Sequence, residues 1–305
     1  MPGVQIAWPD KTHHIREGLI DSTRWTDVSF RDGDILIDTF AKSGTNWVKQ
    51  IVAQLIYNGA EDRYGGVMGP YLEMTWIPPE VMLAHTEAET DRRLFGSHLP
   101  LDALPFSPRV KYICVGRDAR DIVWSAHNHR ASFTAPMLEL FKDAPGWDPD
   151  IRAFYRHWLE HDDGMGIWAG SLWRYARACW SARELPNVLL VHFNNLKADL
   201  GAEIRRIASY LDMAIDEARW PAILTHCSFD YMREAASKVE LIQRNFRDGG
   251  KAFIYKGTNG RWKDVLAPDE IAKCDRVAAR YLTPDCAHWL KTGAFPESET
   301  PVEFR

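Results

Sequence analysis

Three nearly continuous apolar runs, each followed by a helical pattern, constrain the fold of this chain more than any other feature. They are DILIDTF (34–40), VKYICVG (110–116) and NVLLVHF (187–193). Strands that are apolar on both faces belong at the centre of a parallel sheet covered by helices. A shorter run, RRLFGSHLP (92–100), is a fourth candidate strand that ends in a loop. This alternation predicts an α/β fold in one domain, 1–305, with a central parallel sheet flanked by helices.

The residues after these runs follow helical spacing. One apolar stripe follows the first run: Val48, Ile51, Val52, Leu55 and Ile56. Another follows the third run: Ile204, Ile207, Ala208 and Leu211. Side chains three and four positions apart share one face of a helix, so both stripes predict helices that pack on the sheet. After the second run, Asp118 is a suitable N-cap for a further helix.

Long stretches without either pattern interrupt the alternation. The first, about 59–90, is rich in glycine, proline, methionine and aromatic residues, and the second, about 130–150, contains three prolines. Long irregular insertions in a compact domain often bind ligands, so we expect both near a binding site. A third irregular stretch, 236–262, is rich in glycine and basic residues.

The overall composition excludes several classes of protein. A net charge of −5 without a dense lysine or arginine block argues against a nucleic-acid partner. The five cysteines are widely spaced and form no Cys-x-x-Cys pair, so we expect neither a disulfide framework nor a zinc knuckle. The N-terminal MPGVQIAWPDKTHH lacks the pattern of a signal peptide, and no apolar run approaches a membrane span. These features predict a cytoplasmic protein.

The first strand runs into a short turn and then a helix in DTFAKSGTNWVKQIV (38–52). The free N–H groups and positive dipole end of a helix that begins near Gly44 favour an anion. Lys42 adds a mobile positive charge, and Ser43 and Thr45 add hydroxyl groups. The loop is not the kinase-type G-x-x-x-x-G-K-[ST], because here the lysine precedes the glycine and the loop is shorter. Taken alone, the turn indicates either a phosphate site or a solvated lysine.

Five segments, in order along the chain, resemble the motifs of the cytosolic sulfotransferases. They are AKSGTNW (41–47), SHLPLDALP (97–105), YICVGRDARDIVWS (112–125), HCSFDYM (226–232) and YKGTNGRWKDVL (255–266). In that family these are the 5′-phosphosulfate loop, the histidine segment, the 3′-phosphate element, the Ser-Phe segment and the C-terminal signature. The resemblance implies a P-loop-like α/β fold, the donor 3′-phosphoadenylyl sulfate and the product 3′,5′-ADP, with no metal.

The resemblance also implies a role for each matching residue. His98 would be the catalytic base, and Lys42 would stabilise the leaving phosphate. The residues implied at the donor are Lys42, Ser43, Gly44, Thr45 and Asn46 around the 5′-phosphosulfate, Trp47 and Phe229 against the adenine, and Arg117, Ser125, Lys256 and Gly257 around the 3′-phosphate. The segment of about 236–266 would thus complete the nucleotide site from the C-terminal side.

Four positions of this site depart from the family pattern. Gly96 stands where a lysine often contacts the sulfonate, and Tyr255 stands where an arginine contacts the 3′-phosphate. Phe193 replaces a tyrosine and Cys227 replaces a threonine that contact the adenine. The residues given to the chemistry remain, so we expect activity with a lower affinity for the donor.

The irregular stretches 59–90 and 130–150 match the acceptor side of the family. The pocket residues implied there are Tyr71, Met74, Trp76, His129 and Phe133, together with Met68. Such a lining suits an apolar compound with a hydroxyl group, for example a phenol, a sterol-like alcohol or a lipid. The same residues are equally well explained as core.

Two alternative functions and the oligomeric state stay open. A nucleotide kinase-like phosphotransferase would share the strand–turn–helix but would need Mg²⁺ ligands and a longer loop. A non-catalytic 3′,5′-ADP-binding protein would explain the four departures, although the retained His98 argues against it. The family's dimer motif, Lys-x-x-x-Thr-Val-x-x-x-Glu, keeps only Lys263, because Ala267, Pro268 and Ala272 replace its other residues. Any homodimer of this chain would therefore form without this motif.

Overall fold

The computed structural model describes residues 14–66, 68–162 and 170–296, and its elements are numbered here in chain order. The central sheet has four parallel strands: β3 Ile35–Thr39, β4 Leu94–Ser97, β5 Lys111–Gly116 and β6 Val188–His192. They lie in the order β4–β3–β5–β6. A separate antiparallel pair is formed by β1 Arg16–Glu17 and β2 Ile20–Asp21. Each of the four apolar runs therefore contains one strand, and the predicted parallel α/β sheet is confirmed.

Helices follow the strands and cover both faces of the sheet. In chain order they are α1 Thr45–Ile56, α2 Pro79–Ala88, α3 Ala119–Ala131, α4 Ala135–Leu140, α5 Ile151–His161, α6 Leu172–Ser181, α7 Phe193–Ala198, α8 Leu200–Tyr210, α9 Trp220–His226, α10 Phe229–Ala236, α11 Glu240–Asn245, α12 Gly250–Phe253, α13 Pro268–Tyr281 and α14 Pro284–Thr292. Short 3₁₀ turns span Ser22–Asp27 and Leu101–Ala103. None of the helices in the described ranges combines the length and apolar character that crossing a bilayer requires.

Alternating residues of β3 separate the core into two layers. Leu36 packs with α3, α5, α6 and α14 on one face, whereas Ile35 and Ile37 pack with α1 and α8 on the other. The predicted stripes of α1 and α8 face the second layer, where Val48 and Ile204 are fully buried. Asp118 caps α3 as predicted, because its side chain accepts a hydrogen bond from the backbone N–H of Arg120.

The stretches predicted to be irregular contain helices. Segment 59–90 holds α2 and segment 130–150 holds α4, and each of these helices has a proline in its first turn. Proline is tolerated there because the first N–H groups of a helix have no intrahelical partner to lose. Segment 236–262 likewise holds α11 and α12. Pro79 and Pro136 therefore start helices, whereas Pro145 and Pro149 lie in the irregular connection between α4 and α5. The extent of one domain over 1–305 stays a prediction.

The carboxyl ends of the four parallel strands meet at one edge of the sheet. Thr39, Ser97, Gly116 and His192 are the last residues of these strands. In open α/β sheets, ligands bind in the crevice outside this edge. The phosphate turn, the histidine segment and the arginine element all begin there, so the fold brings together segments that are far apart in the chain.

Candidate active site

The phosphate turn joins β3 to α1 through two residues with positive φ. Lys42 has a φ of 72°, which costs energy for a residue with a side chain, and Gly44 has a φ of 122°. A Cβ atom at Gly44 would lie 3.0 Å from Cδ2 of Phe193, so the turn needs glycine for both its conformation and its space. α1 begins at Thr45 without a side-chain cap from the described residues. Its first N–H groups are therefore open to an anion.

His98 follows β4 and lies beside this turn. Its Nδ1 is 2.9 Å from the carbonyl oxygen of Thr39 and 3.1 Å from Oγ1 of the same residue. A carbonyl oxygen can only accept, so Nδ1 carries the proton and Nε2 keeps its lone pair. Thr39 Oγ1 is also 2.6 Å from Oγ1 of Thr45, which links the histidine to the phosphate turn. The arrangement leaves Nε2 able to accept a proton.

Two side chains, buried Glu73 and half-buried Tyr71, hold His98 in place. Glu73 accepts the backbone N–H of His98 at Oε1 (2.8 Å) and the indole N–H of Trp25 at Oε2 (3.0 Å). The ring of Tyr71 stacks on the imidazole with 4.8 Å between centroids. Sequence analysis assigned no role to Glu73, which anchors the histidine loop. An isolated glutamate in an irregular stretch carried no signal for this contact.

Lys49 is a second charged residue that sequence analysis did not single out. It is 1% exposed, and its ammonium lies 4.6 Å from the ring centroid of Tyr71. Burial lowers the pKa of Lys49 to about 7, although the carboxylate of Glu73 acts in the opposite direction. Lys49 comes four residues after Thr45, so the two share one face of α1. That spacing from a predicted phosphate-turn residue is the signal that could have identified it.

Burial also sets the charge states of His98 and Lys42. It lowers the pKa of His98 to about 4, and the positive charges of Lys49 and Lys42 act in the same direction. The imidazole is therefore neutral at pH 7. Burial, helped by the charge of Arg117, lowers the pKa of Lys42 to about 7. An anion bound beside Lys42 would favour its protonated form.

The side chain of Lys42 extends towards α3. Its Nζ is 3.0 Å from Nδ1 of His129. Burial, together with the charge of Lys42, holds the pKa of His129 well below its usual range, so the neutral imidazole accepts a hydrogen bond from the ammonium. The imidazole also packs against Phe133, Phe246 and Phe253, with centroid distances of 5.2, 4.8 and 5.9 Å. Two residues predicted for the acceptor pocket, His129 and Phe133, thus lie next to Lys42.

Arg117, directly after β5, is 5% exposed. Its Nη1 donates to the carbonyl oxygen of Lys42 at 3.0 Å, and its Nε and Nη2 donate to Oδ1 of Asn259 at 3.1 and 2.7 Å. The guanidinium also lies over the ring of Phe193 at 4.1 Å. These partners are neutral, and Arg117 has no ion pair within the described ranges. A buried guanidinium held in this way suits an anionic ligand.

The aromatic residues predicted for the adenine lie at the same end of the site. The indole N–H of Trp47 donates to the carbonyl oxygen of Cys227 at 2.9 Å, and its ring is 5.4 Å from that of Phe193. Phe229 comes two residues after Cys227 and packs on Gly257, where a Cβ atom would lie 2.7 Å from Cε2 of Phe229. Gly257 has a φ of 61°, so both conformation and space require glycine.

The other residues predicted for the donor site lie on the phosphate turn, on α3 and in the loop after α12. Ser43 is buried and Asn46 is half-buried on the phosphate turn, and Ser125 is half-buried on α3. Tyr255 is 44% exposed, and the ammonium of Lys256 lies 5.2 Å from its ring centroid. The structure therefore brings the predicted residues to one strand edge, with the loop after α12 at its rim.

Comparison with known proteins identifies the family to which this chain belongs. The family model described as the sulfotransferase domain matches residues 32–285 of this chain. The chain belongs to the sulfotransferase family. It is 30% identical over 310 residues to a glycolipid sulfotransferase from Mycobacterium tuberculosis, covering 91% of this chain and 94% of the relative. It is 28% identical to sulfotransferase 1A1 from Rattus norvegicus, covering 88% of each chain.

Solved structures support the same fold. Mouse sulfotransferase SULT7A1, solved in complex with PAP, superimposes with a TM-score of 0.67 at 19% identity, covering 90% of this chain and 93% of that one. Retinol dehydratase, solved with retinol and PAP, gives a TM-score of 0.68 at 20% identity, covering 87% of each chain. The predicted family, the predicted P-loop-like fold and the prediction of a sulfotransferase enzyme are confirmed.

Not all the predicted acceptor residues of this sulfotransferase lie beside its histidine. Tyr71 stacks on His98, as described above. Met74 is 5% exposed and packs in the main core, and its carbonyl oxygen accepts a hydrogen bond from Arg24. Trp76 is 53% exposed at the surface. Met68 packs against the core layer on the α1 side of the sheet. Tyr71, Met74 and Trp76 therefore have different surroundings, although the family resemblance placed all three in one pocket.

The sulfotransferase also brings together three buried groups that sequence spacing did not connect. Oxygen and sulfur atoms of Asp38, Cys114 and Cys179 lie within 4.8 Å of one another. Both carboxylate oxygens of Asp38 lack a hydrogen-bond partner within the described ranges. Burial raises the pKa of Asp38 well above its usual range, so a protonated carboxyl group is favoured at this position.

Proposed function

We propose that this sulfotransferase moves a sulfuryl group from 3′-phosphoadenylyl sulfate to the hydroxyl group of an apolar small molecule or lipid. His98 acts as the base, and Lys42 stabilises the leaving phosphate. The observation that carries the proposal is the pair of contacts around His98. Nδ1 is committed to the Thr39 carbonyl, and Nε2 makes no hydrogen bond within the described ranges, so its lone pair is available to a proton.

The reaction has three parts: removal of a proton, cleavage of a bond, and stabilisation of the charge that results. Nε2 of His98 takes the proton of the acceptor hydroxyl as its oxygen bonds to sulfur. The bond between sulfur and the 5′-phosphate oxygen breaks, and the electron pair stays on the phosphate of 3′,5′-ADP. The ammonium of Lys42 and the N–H groups at the start of α1 stabilise this charge, which is the type of interaction that usually dominates catalysis. On this route, groups of this chain take up both the proton of the acceptor and the charge of the leaving phosphate.

Features on and around the phosphate turn support binding of this donor. The 5′-phosphosulfate is assigned to residues 42–46, where the helix start is uncapped. The adenine is assigned to the space between Trp47 and Phe229, bordered by Phe193 and Cys227. The 3′-phosphate is assigned to Arg117 with Ser125, Lys256 and Gly257, because the hydrogen-bond partners of the buried guanidinium in the described part of the chain are neutral. Several relatives whose fold this chain shares are described as complexes with PAP, which supports the same class of nucleotide.

The acceptor is proposed to lie between Tyr71 and the group formed by His129 and Phe133. Aromatic faces on both sides favour an apolar body, and His98 supplies the polar contact for its hydroxyl group. The mycobacterial relatives are named glycolipid sulfotransferases, and retinol dehydratase was solved with retinol and with androsterone. We also propose a cytoplasmic location, supported by five unpaired cysteines.

Ligand binding and turnover test the proposal separately. Thermal shift with 3′,5′-ADP, AMP and ATP should give its largest effect with 3′,5′-ADP, since a ligand at about 100 times its Kd adds roughly 2.7 kcal/mol of stability. Phenol, sterol and glycolipid acceptors are then tested with 3′-phosphoadenylyl sulfate. Preference for ATP would favour a phosphotransferase. Tight 3′,5′-ADP binding without sulfation of any acceptor class would favour the non-catalytic alternative.

A further inference from the structure

The C-terminal signature lacks an arginine at the position that Tyr255 occupies, yet another arginine lies beside that tyrosine. Arg261 is six residues further along, in the same loop. Its guanidinium carbon is 5.6 Å from the ring centroid of Tyr255. The turn that presents it is fixed by Gly260, which has a φ of 78° and donates its N–H to Oδ1 of Asp121 at 2.7 Å.

The guanidinium of Arg261 lacks the partners that such a group normally has. Its Nε is buried and makes no hydrogen bond within the described ranges, where Arg261 also has no ion pair. A guanidinium is permanently charged and carries five N–H donors. Leaving a buried donor unpaired costs free energy, so the geometry indicates that a ligand supplies the missing acceptor.

The charges around Arg261 define that ligand. Arg117 reaches the same loop through Asn259, and all its hydrogen-bond partners among the described residues are neutral. Burial lowers the pKa of Arg117, and the charge of Arg261 acts in the same direction. Lys256 adds a third positive charge at Tyr255, and Asp121 is the carboxylate that acts on both arginines. Asp118 also acts on Arg117, but it forms an ion pair with Arg120 at 2.8 Å. The three cations therefore face one further carboxylate, Asp121, and the excess of positive charge matches a phosphate monoester.

We propose that Arg261 binds the 3′-phosphate of the donor and replaces the arginine that is absent at position 255. Tyr255 provides a ring face on which the relocated guanidinium rests. The inference depends on the proposed donor, and it assigns to this chain a specificity residue that the family pattern does not contain. It also bears on the lower donor affinity expected from Tyr255, because the positive charge is moved and not lost.

Calorimetry with two nucleotides tests this role. Arg261→Gln should weaken 3′,5′-ADP binding by about 10- to 100-fold, the range expected for charge-assisted hydrogen bonds to phosphate. AMP, which lacks the 3′-phosphate, should bind within about twofold of wild type and so report an intact fold. Lys263→Gln is the matched control, because Lys263 is an exposed cation in the same loop that lies over Trp262. It should change neither affinity by more than about twofold.

A charge swap separates replacement from a general loss of positive charge. Tyr255→Arg added to Arg261→Gln should restore 3′,5′-ADP affinity to within about threefold of wild type. A double variant as weak as Arg261→Gln would overturn the claim of replacement. Equal weakening of both nucleotides, or of neither, in Arg261→Gln would overturn the role itself. A wild-type protein that does not prefer 3′,5′-ADP over AMP would instead refute the proposed donor, so the two failures are distinguishable.

Discussion

The proposed donor side and the proposed acceptor side of the site, called here the donor side and the acceptor side, are built in different ways. The donor side relies on backbone groups: the open start of α1, the glycines at positions 44 and 257, and the carbonyl oxygen of Lys42 that holds Arg117. The acceptor side relies on packed side chains, with Tyr71 on one flank of His98 and the His129–Phe133 pair near Lys42. Backbone geometry tolerates few residue types, whereas a packed wall tolerates many. The donor should therefore be fixed and the acceptor adjustable.

Removal of His98 should produce the largest effect and should leave the donor side intact. We expect His98→Ala to lower turnover by about 10²- to 10⁴-fold, or roughly 3–5 kcal/mol of barrier, because a general base is lost. Affinity for 3′,5′-ADP should change little, since the base faces the acceptor. His127→Ala is a control on α3, where His127 packs against Trp147 instead. Turnover of His98→Ala within about threefold of wild type would exclude His98 as the base.

Lys42 lies where the two sides meet, so its removal tests which side it serves. Lys42→Met keeps the length of the side chain and removes its charge, and it should lower turnover by about 10²- to 10³-fold. Binding of 3′,5′-ADP should weaken much less, because that product lacks the sulfonate whose departure Lys42 assists. Steady-state kinetics and calorimetry on the same preparation measure both quantities. Poor nucleotide binding with normal turnover at saturation would make Lys42 only an anchor.

The same preparation permits a test of metal dependence. If Lys42 and the start of α1 stabilise the leaving phosphate, sulfation should persist in excess EDTA. Turnover that disappears in EDTA and returns with Mg²⁺ would support the phosphotransferase alternative.

Arg117 should show the opposite pattern to His98, with a smaller effect that is confined to the donor. Arg117→Ala should weaken 3′,5′-ADP by about 10- to 100-fold, as expected for a charge-assisted bond to phosphate. Adenosine 5′-phosphosulfate, which lacks the 3′-phosphate, should bind nearly as well as to wild type. Calorimetry with both nucleotides checks this. Equal loss for the two would mean that Arg117 only supports the loop through Asn259.

The contrast between the two sides also explains what the sequence predicted. The strands and the phosphate turn were predictable because an apolar run, and a glycine between a strand and a helix, can be recognised in a short stretch of sequence. Glu73 and Arg261 were harder to predict, because Glu73 contacts His98, 25 residues away, and the turn before Arg261 is held by Asp121, about 140 residues away. Lys49 likewise depends on its contact with Tyr71 in another segment. Met74 and Trp76 were grouped with Tyr71 by the resemblance to the family's acceptor pocket, but burial of Met74 and exposure of Trp76 separate them. Side-chain direction in an irregular turn is decided by tertiary packing.

The smallest predicted effect concerns stability on the acceptor side, at Lys49. Its pKa is about 7 in the folded protein and near 10.4 in an unfolded chain, so folding disfavours its protonated form. This penalty is full below pH 7, decreases as pH rises from 7 to about 10.4, and is absent above that range. Lys49→Met should therefore raise Tm at pH 6 by about 2–4 °C, and the gain should shrink towards pH 10.

A second buried polar residue on α1 provides the contrast for Lys49. Gln54 donates hydrogen bonds to the carbonyl oxygens of Ala60 and Arg63, so Gln54→Met should lower Tm at every pH by leaving these acceptors unpaired. Calorimetric melts of both variants at pH 6 and pH 9.5 measure the two trends. If Lys49→Met lowered Tm by the same amount at both pH values, Lys49 would be a packing residue whose charge carries no penalty. The result expected here would instead mean that Lys49 is a buried charge kept at a cost in stability, as burial, which also lowers the pKa values of Lys42 and Arg117, indicates for the phosphate turn and its neighbour.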